Sequence, residues 1–206
     1  MAWQPTQLEK QRLDKLERLR EAGVDPYPLR IKRTHTTADA ISSFEGVRED
    51  EPVLVTICGR LVSVRDMGKT VFAHVNDEFG RIQLFVRRDE IGEESHAIFR
   101  KLLDLGDFVQ ATGVLFRTRT GEISVRVSEW ELLSKAISPL PVVKEQEVDG
   151  ETVRYSAFSD VEERYRQRYA DLAVNPEVRD VFRTRARLIN ALRRFFDEND
   201  FLEVET

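Results

Sequence analysis

The sequence predicts a mainly β fold with flanking helices, and three observations carry that expectation. Apolar residues alternate with period two from about residue 53 to 132. Gly68, Gly80, Gly106 and Gly121 divide this stretch into short runs rich in β-branched residues. Helical spacing of three and four appears on either side of it and in one short insert. A chain of 206 residues that is 41% hydrophobic and 33% charged can bury a core, and its mixed charge is unlike a disordered tail or a coiled-coil rod.

The elements follow in order. Residues 7 to 22 read as a helix, with Thr6 as N-cap and Gly23, Pro26 and Pro28 ending it. Its apolar positions are sparse, Leu8, Leu13, Leu16 and Leu19, and its basic and acidic residues alternate, so most of it is expected to face solvent or a polar partner. Five strands are expected at Val53 to Arg65, Thr70 to Asp77, Arg81 to Arg87, Asp107 to Arg117 and Glu122 to Leu132. Between the third and fourth, Ile98, Leu102 and Leu105 mark a short amphipathic helix over Glu93 to Asp104. Three strands, a helix and two strands is the order of an OB-fold, a five-stranded barrel that commonly binds oligonucleotides. Residues 139 to 163 hold Pro139, Pro141, Gly150 and the acidic cluster Glu145, Glu147, Asp149 and Glu151, which reads as a linker or an exposed hairpin. Asn175-Pro176-Glu177 then opens a helix whose broad apolar face carries Val178, Val181, Phe182, Ile189, Leu192 and Phe196. Phe201 to Thr206 is a strand-like tail. The expected division is a helical extension at 1–52, the barrel at 53–138, a linker at 139–172 and a further element pair at 173–206.

Composition removes several function classes. The net charge of −5 argues against a polyanion binder held by bulk positive charge, so any nucleic acid must be gripped locally. One cysteine, Cys58, excludes an internal disulfide framework, and in its strand it reads as a packing residue; His35, His74 and His96 have no metal-ligand spacing. No stretch approaches the roughly 18 to 20 apolar residues that span a bilayer, and a cytoplasmic setting without a membrane partner is expected. None of the ten glycines forms a G-x-G pair, no phosphate-cradling loop is present, and no nucleophile elbow supports a catalytic triad. No catalytic residue, metal ligand or bound cofactor is therefore expected in this chain.

Alternation does single out one surface. Val71, Ala73 and Val75 in the second strand and Ile82, Leu84 and Val86 in the third are expected to fill the barrel. That leaves Phe72, His74, Gln83, Phe85 and Arg87 on the opposite face. A four-residue loop over Asp77 to Gly80 would pair Asn76 with Arg81, His74 with Gln83 and Phe72 with Phe85. Flat rings stack unpaired bases, an amide reads a base edge and a cation meets phosphate. The same two rings could instead pack beneath a loop or a neighbouring domain, and the residues alone leave both readings open.

Longer motifs carry a resemblance. They are Gly23-Val24-Asp25-Pro26-Tyr27-Pro28, Gly80-Arg81-Ile82-Gln83-Leu84, Asp104-Leu105-Gly106-Asp107, Phe116 through Glu122, Arg164 through Leu172, Asn175 through Arg179, and Phe201 through Thr206. In this order they resemble the N-terminal part of bacterial class II lysyl-tRNA synthetases, along almost the whole chain. Aspartyl and asparaginyl synthetases share the barrel, but the Asp25-Pro26-Tyr27-Pro28 and Thr118-Arg119-Thr120-Gly121-Glu122 runs look like the lysyl branch.

The resemblance implies that the barrel binds the anticodon stem-loop of tRNA(Lys). Phe72 matches the phenylalanine that stacks on the middle anticodon uridine, and Gln83 the glutamine that reads it. Glu122 matches a glutamate placed by the flanking uridines, and Arg65 a basic anticodon contact. The last helix and tail resemble the first class II motif, with Val178, Val181, Phe182, Ile189, Leu192 and Phe196 as homodimer-interface candidates. This is the first helix and strand of an α+β catalytic domain. Three departures stand out: Asp200 occupies the place of a usual glycine, Val142 to Ala157 exceeds the common linker, and the chain stops before the proline that closes the motif. Motifs 2 and 3, which in the family hold ATP, Mg2+ and lysine, are absent, so the chain alone is expected to be inactive in the family reaction, the ATP-dependent attachment of lysine to tRNA. The alternative is a freestanding RNA-binding or regulatory relative of the synthetase, and a third reading makes the barrel face a protein-docking surface.

Overall fold

A computed structural model describes residues 3–46, 51–141, 143–148, 151–156, 158 and 160–205. Two compact units divide it, Met1–Pro139 and Leu140–Thr206.

The first unit opens with α1 (Gln7–Glu21). Thr6 and Glu9 cap it reciprocally: the Thr6 hydroxyl oxygen accepts from the Glu9 amide at 3.3 Å, and the Glu9 carboxylate accepts from the Thr6 amide at 2.8 Å. The buried stripe of this helix is Glu9, Arg12, Leu16 and Leu19, so part of its charge faces protein rather than solvent. Arg12 donates to the carbonyls of Ala136 and Leu105 at 3.1 and 3.0 Å, Lys15 pairs with Asp104 at 2.6 Å, and Ser138 donates to Glu9 at 2.6 Å. Of the two expectations, solvent or a polar partner, this stripe meets the second, and the partner is the barrel unit itself.

A second helix, α2 (Thr37–Glu45), was not expected from periodicity, being nine residues long. Its signal is the capping box of Thr36 and Asp39. Thr37 is fully buried and donates its amide and hydroxyl to Asp77 at 2.8 and 2.6 Å, and the same carboxylate accepts from the amides of Phe79 and Gly80. One aspartate thus fixes both the helix start and the hairpin turn.

The barrel comprises β1 (Leu54–Asp66), β2 (Thr70–Asn76), β3 (Arg81–Arg87), β4 (Phe108–Arg117) and β5 (Ile123–Ser134). After β3 come a single-turn α3 (Arg88–Ile91) and α4 (Glu93–Leu102). The strands pair in the order β1-β2-β3-β5-β4, and β4 returns to β1, closing the ring; only β3 and β5 run parallel. Val71, Ala73, Val75, Ile82, Leu84 and Val86 are all at most 2% exposed, as alternation required. Phe99 of α4 closes the core, its ring edge-on to Trp130 at 5.1 Å.

In the second unit, β6 (Val143–Val148) and β7 (Glu151–Ser156) form an antiparallel pair, followed by α5 (Val161–Arg166), α6 (Arg168–Val174) and α7 (Pro176–Asp197). The stretch read as a linker or an exposed hairpin carries a hairpin, as the second of those readings had it, and two short helices that were not expected. Shortness hid the helices: neither exceeds seven residues, fewer than two turns of pattern. Asp171 is fully buried and ties the three helices together, accepting from Arg164 at 2.8 Å, from Arg168 and from the Asn175 amide at 2.7 Å. Because Asn175 is spent on Asp171, it makes no side-chain cap bond, and Pro176 alone sets the first turn of α7. The tail also differs from expectation: residues 201–205 are not paired as a strand, since no neighbouring strand is present for them among the described residues.

Candidate nucleic-acid interface

Register builds the site. Across four of the barrel's pairings, Ser63 stands opposite His74, His74 opposite Gln83, Gln83 opposite Ser124, and Ser124 opposite Phe116. One step along, Arg65 stands opposite Phe72, Phe72 opposite Phe85, and Phe85 opposite Arg126. The sheet thus carries a polar row beside a row of rings and cations. The first row depends on a bulge in β1 between Leu61 and Ser63. Without that register shift, the alternation would set Val62 against His74, and Ser63 and Arg65 would leave this face.

All seven residues singled out from the sequence, Arg65, Phe72, His74, Gln83, Phe85, Arg87 and Glu122, line one cleft of about 960 Å³. Phe72 and Phe85 do not disappear beneath a loop. Their ring centroids are 5.1 Å apart, Phe116 continues the series 5.3 Å from Phe85, and the Arg126 guanidinium lies 5.0 Å from the Phe116 ring centre. Phe116, Arg126, Ser63 and Ser124 were missed. The signal for Phe116 was present, because it follows the inward Leu115; the placing of the others needs the bulge and the β3 to β5 pairing.

Glu122 comes from the turn before β5. Thr118 and Glu122 close that turn with three hydrogen bonds of 2.9 to 3.1 Å, and Gly121, at φ +90°, supplies a backbone conformation other residues rarely adopt. This aims the carboxylate at the polar row: it accepts from His74 Nε2 at 2.8 Å and from Gln83 Nε2 at 2.6 Å. A carboxylate only accepts, so His74 Nε2 carries a proton and the Gln83 amide is oriented. Ser63 Oγ lies 2.7 Å from His74 Nδ1.

Arg87 is not idle in this cleft. It bonds Asp89 at 3.3 Å and lies 3.9 Å from Glu90, exposed pairs of the kind that cost little to exchange for another anion. With Arg65, Arg119 and Arg126 it gives the cleft an excess of cations around the one carboxylate of Glu122, in a chain whose net charge is −5. The six α7 candidates lie elsewhere, in the second unit: Val178 is half-buried, and Val181, Phe182, Ile189, Leu192 and Phe196 are exposed. Among the described residues no group of three acidic, histidine or cysteine side chains could hold a metal ion, and no helix is long and apolar enough to cross a membrane.

Residues 55–133 match the model of the OB-fold nucleic acid binding domain, and residues 160–206 that of class II tRNA synthetases of the D, K and N group. The chain is 50% identical over 201 residues to the lysine–tRNA ligase of Roseiflexus sp. (strain RS-1), covering 97% of this chain and 39% of that protein. It matches the N-terminal part of lysine–tRNA ligases. The lysine–tRNA ligase of Bacillus subtilis (strain 168) is 43% identical over 199 residues, or 95% of this chain and 38% of that protein. That of Christiangramia forsetii is 46% identical over 209 residues. The chain thus spans about two-fifths of the length of these lysine–tRNA ligases or somewhat less. Within it, the barrel is an OB-fold domain of the nucleic-acid-binding kind, followed by a partial class II synthetase region.

Proposed function

We propose that this chain is the anticodon-binding portion of a lysine–tRNA ligase, and that the cleft takes the unpaired anticodon bases of tRNA(Lys). The observation that carries this reading is the pair of adjacent rows: half-buried rings lining the cleft with arginines, beside an internally oriented amide and carboxylate. Phe72 stacks on the middle uridine, Gln83 reads its edge, and Glu122 with His74 sits by the neighbouring bases. Arg65, Arg87 and Phe85 complete the face, with the cations toward the phosphates. The chemistry of the whole enzyme, activation of lysine with ATP and Mg2+ and its transfer to tRNA, belongs to regions that follow motif 1 in the family. In such an enzyme α7 contributes to a homodimer, and the protein works in the cytoplasm. Its relatives' names, and the cleft's cations in a chain of negative net charge, support this reading.

The test is titration of the chain with anticodon stem-loops carrying U or C at the middle position. Stacking of one base on an aromatic ring is worth about 1 to 3 kcal/mol, so Phe72→Ala should weaken binding of the U loop by about one to two orders of magnitude. Arg87→Ala should weaken both loops alike and flatten the salt dependence. Equal affinity of the unaltered chain for both loops points to a generic RNA binder, and no binding to either points to protein docking.

A further inference from the structure

Ser124 is fully buried and does not line the cleft, yet it touches the one amide that faces it. Its Oγ lies 2.9 Å from Gln83 Oε1, and the two residues are register partners in the parallel β3 to β5 pairing. The Glu122 carbonyl is farther, at 3.4 Å, and a hydroxyl has a single proton to give. The nearer oxygen receives it. Gln83 Oε1 is therefore occupied from behind, and Nε2 is turned toward the cleft, where one N–H meets Glu122 Oε2 at 2.6 Å. The other side of Nε2 is 3.5 Å from His74 Nε2, which already holds the proton it donates to Glu122 and offers no acceptor.

Two groups thus fix the amide, and they differ in permanence. Glu122 is half exposed, with 46% of its side chain accessible, and stands in the cleft where an incoming base would compete for it. Ser124 is shielded from any ligand. Resting on the anticodon reading above, we infer that Ser124 is the specificity-positioning residue of this site: it holds Gln83 so that an N–H donor, and not the carbonyl, meets the base. Such an amide favours a base edge that presents a carbonyl acceptor, as uracil does at its fourth ring position, over one that presents an amino group there, as cytosine does. Without the hydroxyl, Gln83 can turn over and offer its carbonyl to the amino group.

The experiment compares the full chain with Ser124→Ala and Ser124→Thr, each titrated with stem-loops carrying U or C at the middle position. A hydrogen bond of ordinary net strength sets the scale at about three- to tenfold. Ser124→Ala should lower the U over C preference by that factor, with affinity for the C loop rising, an effect that damage to the fold would not produce. Ser124→Thr keeps the donor and should keep the preference. If the alanine chain fails to fold, Ser124→Cys, a weak donor of similar size, is read in the same way. An unchanged preference in the alanine variant, or an equal loss for both loops, overturns the inference while leaving the anticodon reading intact. Absence of any preference in the unaltered chain overturns both.

Discussion

The Lys135 ammonium has no contact with solvent and is held by Asp107 at 2.8 Å, itself fully buried, and by Asp104 at 2.6 Å. Asp104 in turn takes Lys15 of α1, so one buried cluster joins the helix to the base of the barrel. Burial pushes the Asp104 carboxyl up, but the hydrogen bonds from Lys135 and Lys15 outweigh it and hold the group below its ordinary 3.8. A carboxyl depressed in the folded state adds stability above its unfolded value, and that contribution is lost as pH falls through the folded value. The barrel should therefore keep the benefit of this cluster down to about pH 4 and lose it only below. At neutral pH, Lys135→Met would leave Asp107 buried with its partner gone, and should cost about 3 to 5 kcal/mol. Urea unfolding followed by tryptophan fluorescence checks both, since Trp3 and Trp130 lie in the barrel unit. An undiminished midpoint in the methionine variant would show that the pair adds nothing.

Among elements, α7 shows a sequence departure and its physical reason together. Asp200 follows the helix end at φ +61°, the only non-glycine residue at positive φ among those described. It stands where the synthetases usually have glycine. The Phe201 amide returns to the Phe196 carbonyl at 3.0 Å, a closure that needs this left-handed step. Asp200→Gly removes the Cβ conflict and should raise the stability of the second unit by about 1 kcal/mol, read as a higher melting temperature. No change would mean that the aspartate bears the conformation without strain. The same contrast runs through the barrel. Its β2 to β3 hairpin was legible residue by residue, because a four-residue loop and strict alternation leave one register, and Asn76, His74 and Phe72 do face Arg81, Gln83 and Phe85. Ser63, Ser124 and Arg126 were not legible, since a bulge and a parallel closure between distant strands place them. For α1 the charge pattern left solvent and a polar partner both open, and Arg12 and Glu9 show that part of the charge meets backbone carbonyls and a serine of the same unit.

At the scale of the molecule, the two units differ in how they treat apolar surface. The barrel unit encloses a core running from Leu19 through Leu132, and exposed apolar residues such as Leu29, Met67 and Phe79 are scattered along its loops. In the second unit α7 has no buried residue, and Ile189, Leu192 and Phe196 join Phe201 and Leu202 along a cleft of about 610 Å³. Leu188 and Phe195 are exposed as well. An apolar face of this extent on one helix draws a second copy or promotes aggregation, whereas the rings of the barrel cleft are half-buried and interleaved with arginines and polar groups. A chain ending at Ser138 keeps α1, the Lys135 cluster and all five barrel strands, so it should fold and bind the stem-loop with the affinity of the full chain. It should also be monomeric and more soluble, while the full chain self-associates. Sedimentation equilibrium of both across a concentration series separates the outcomes. Equally monomeric behaviour would show that the α7 face is tolerated in water, and loss of RNA binding in the shorter chain would place part of the interface in the second unit.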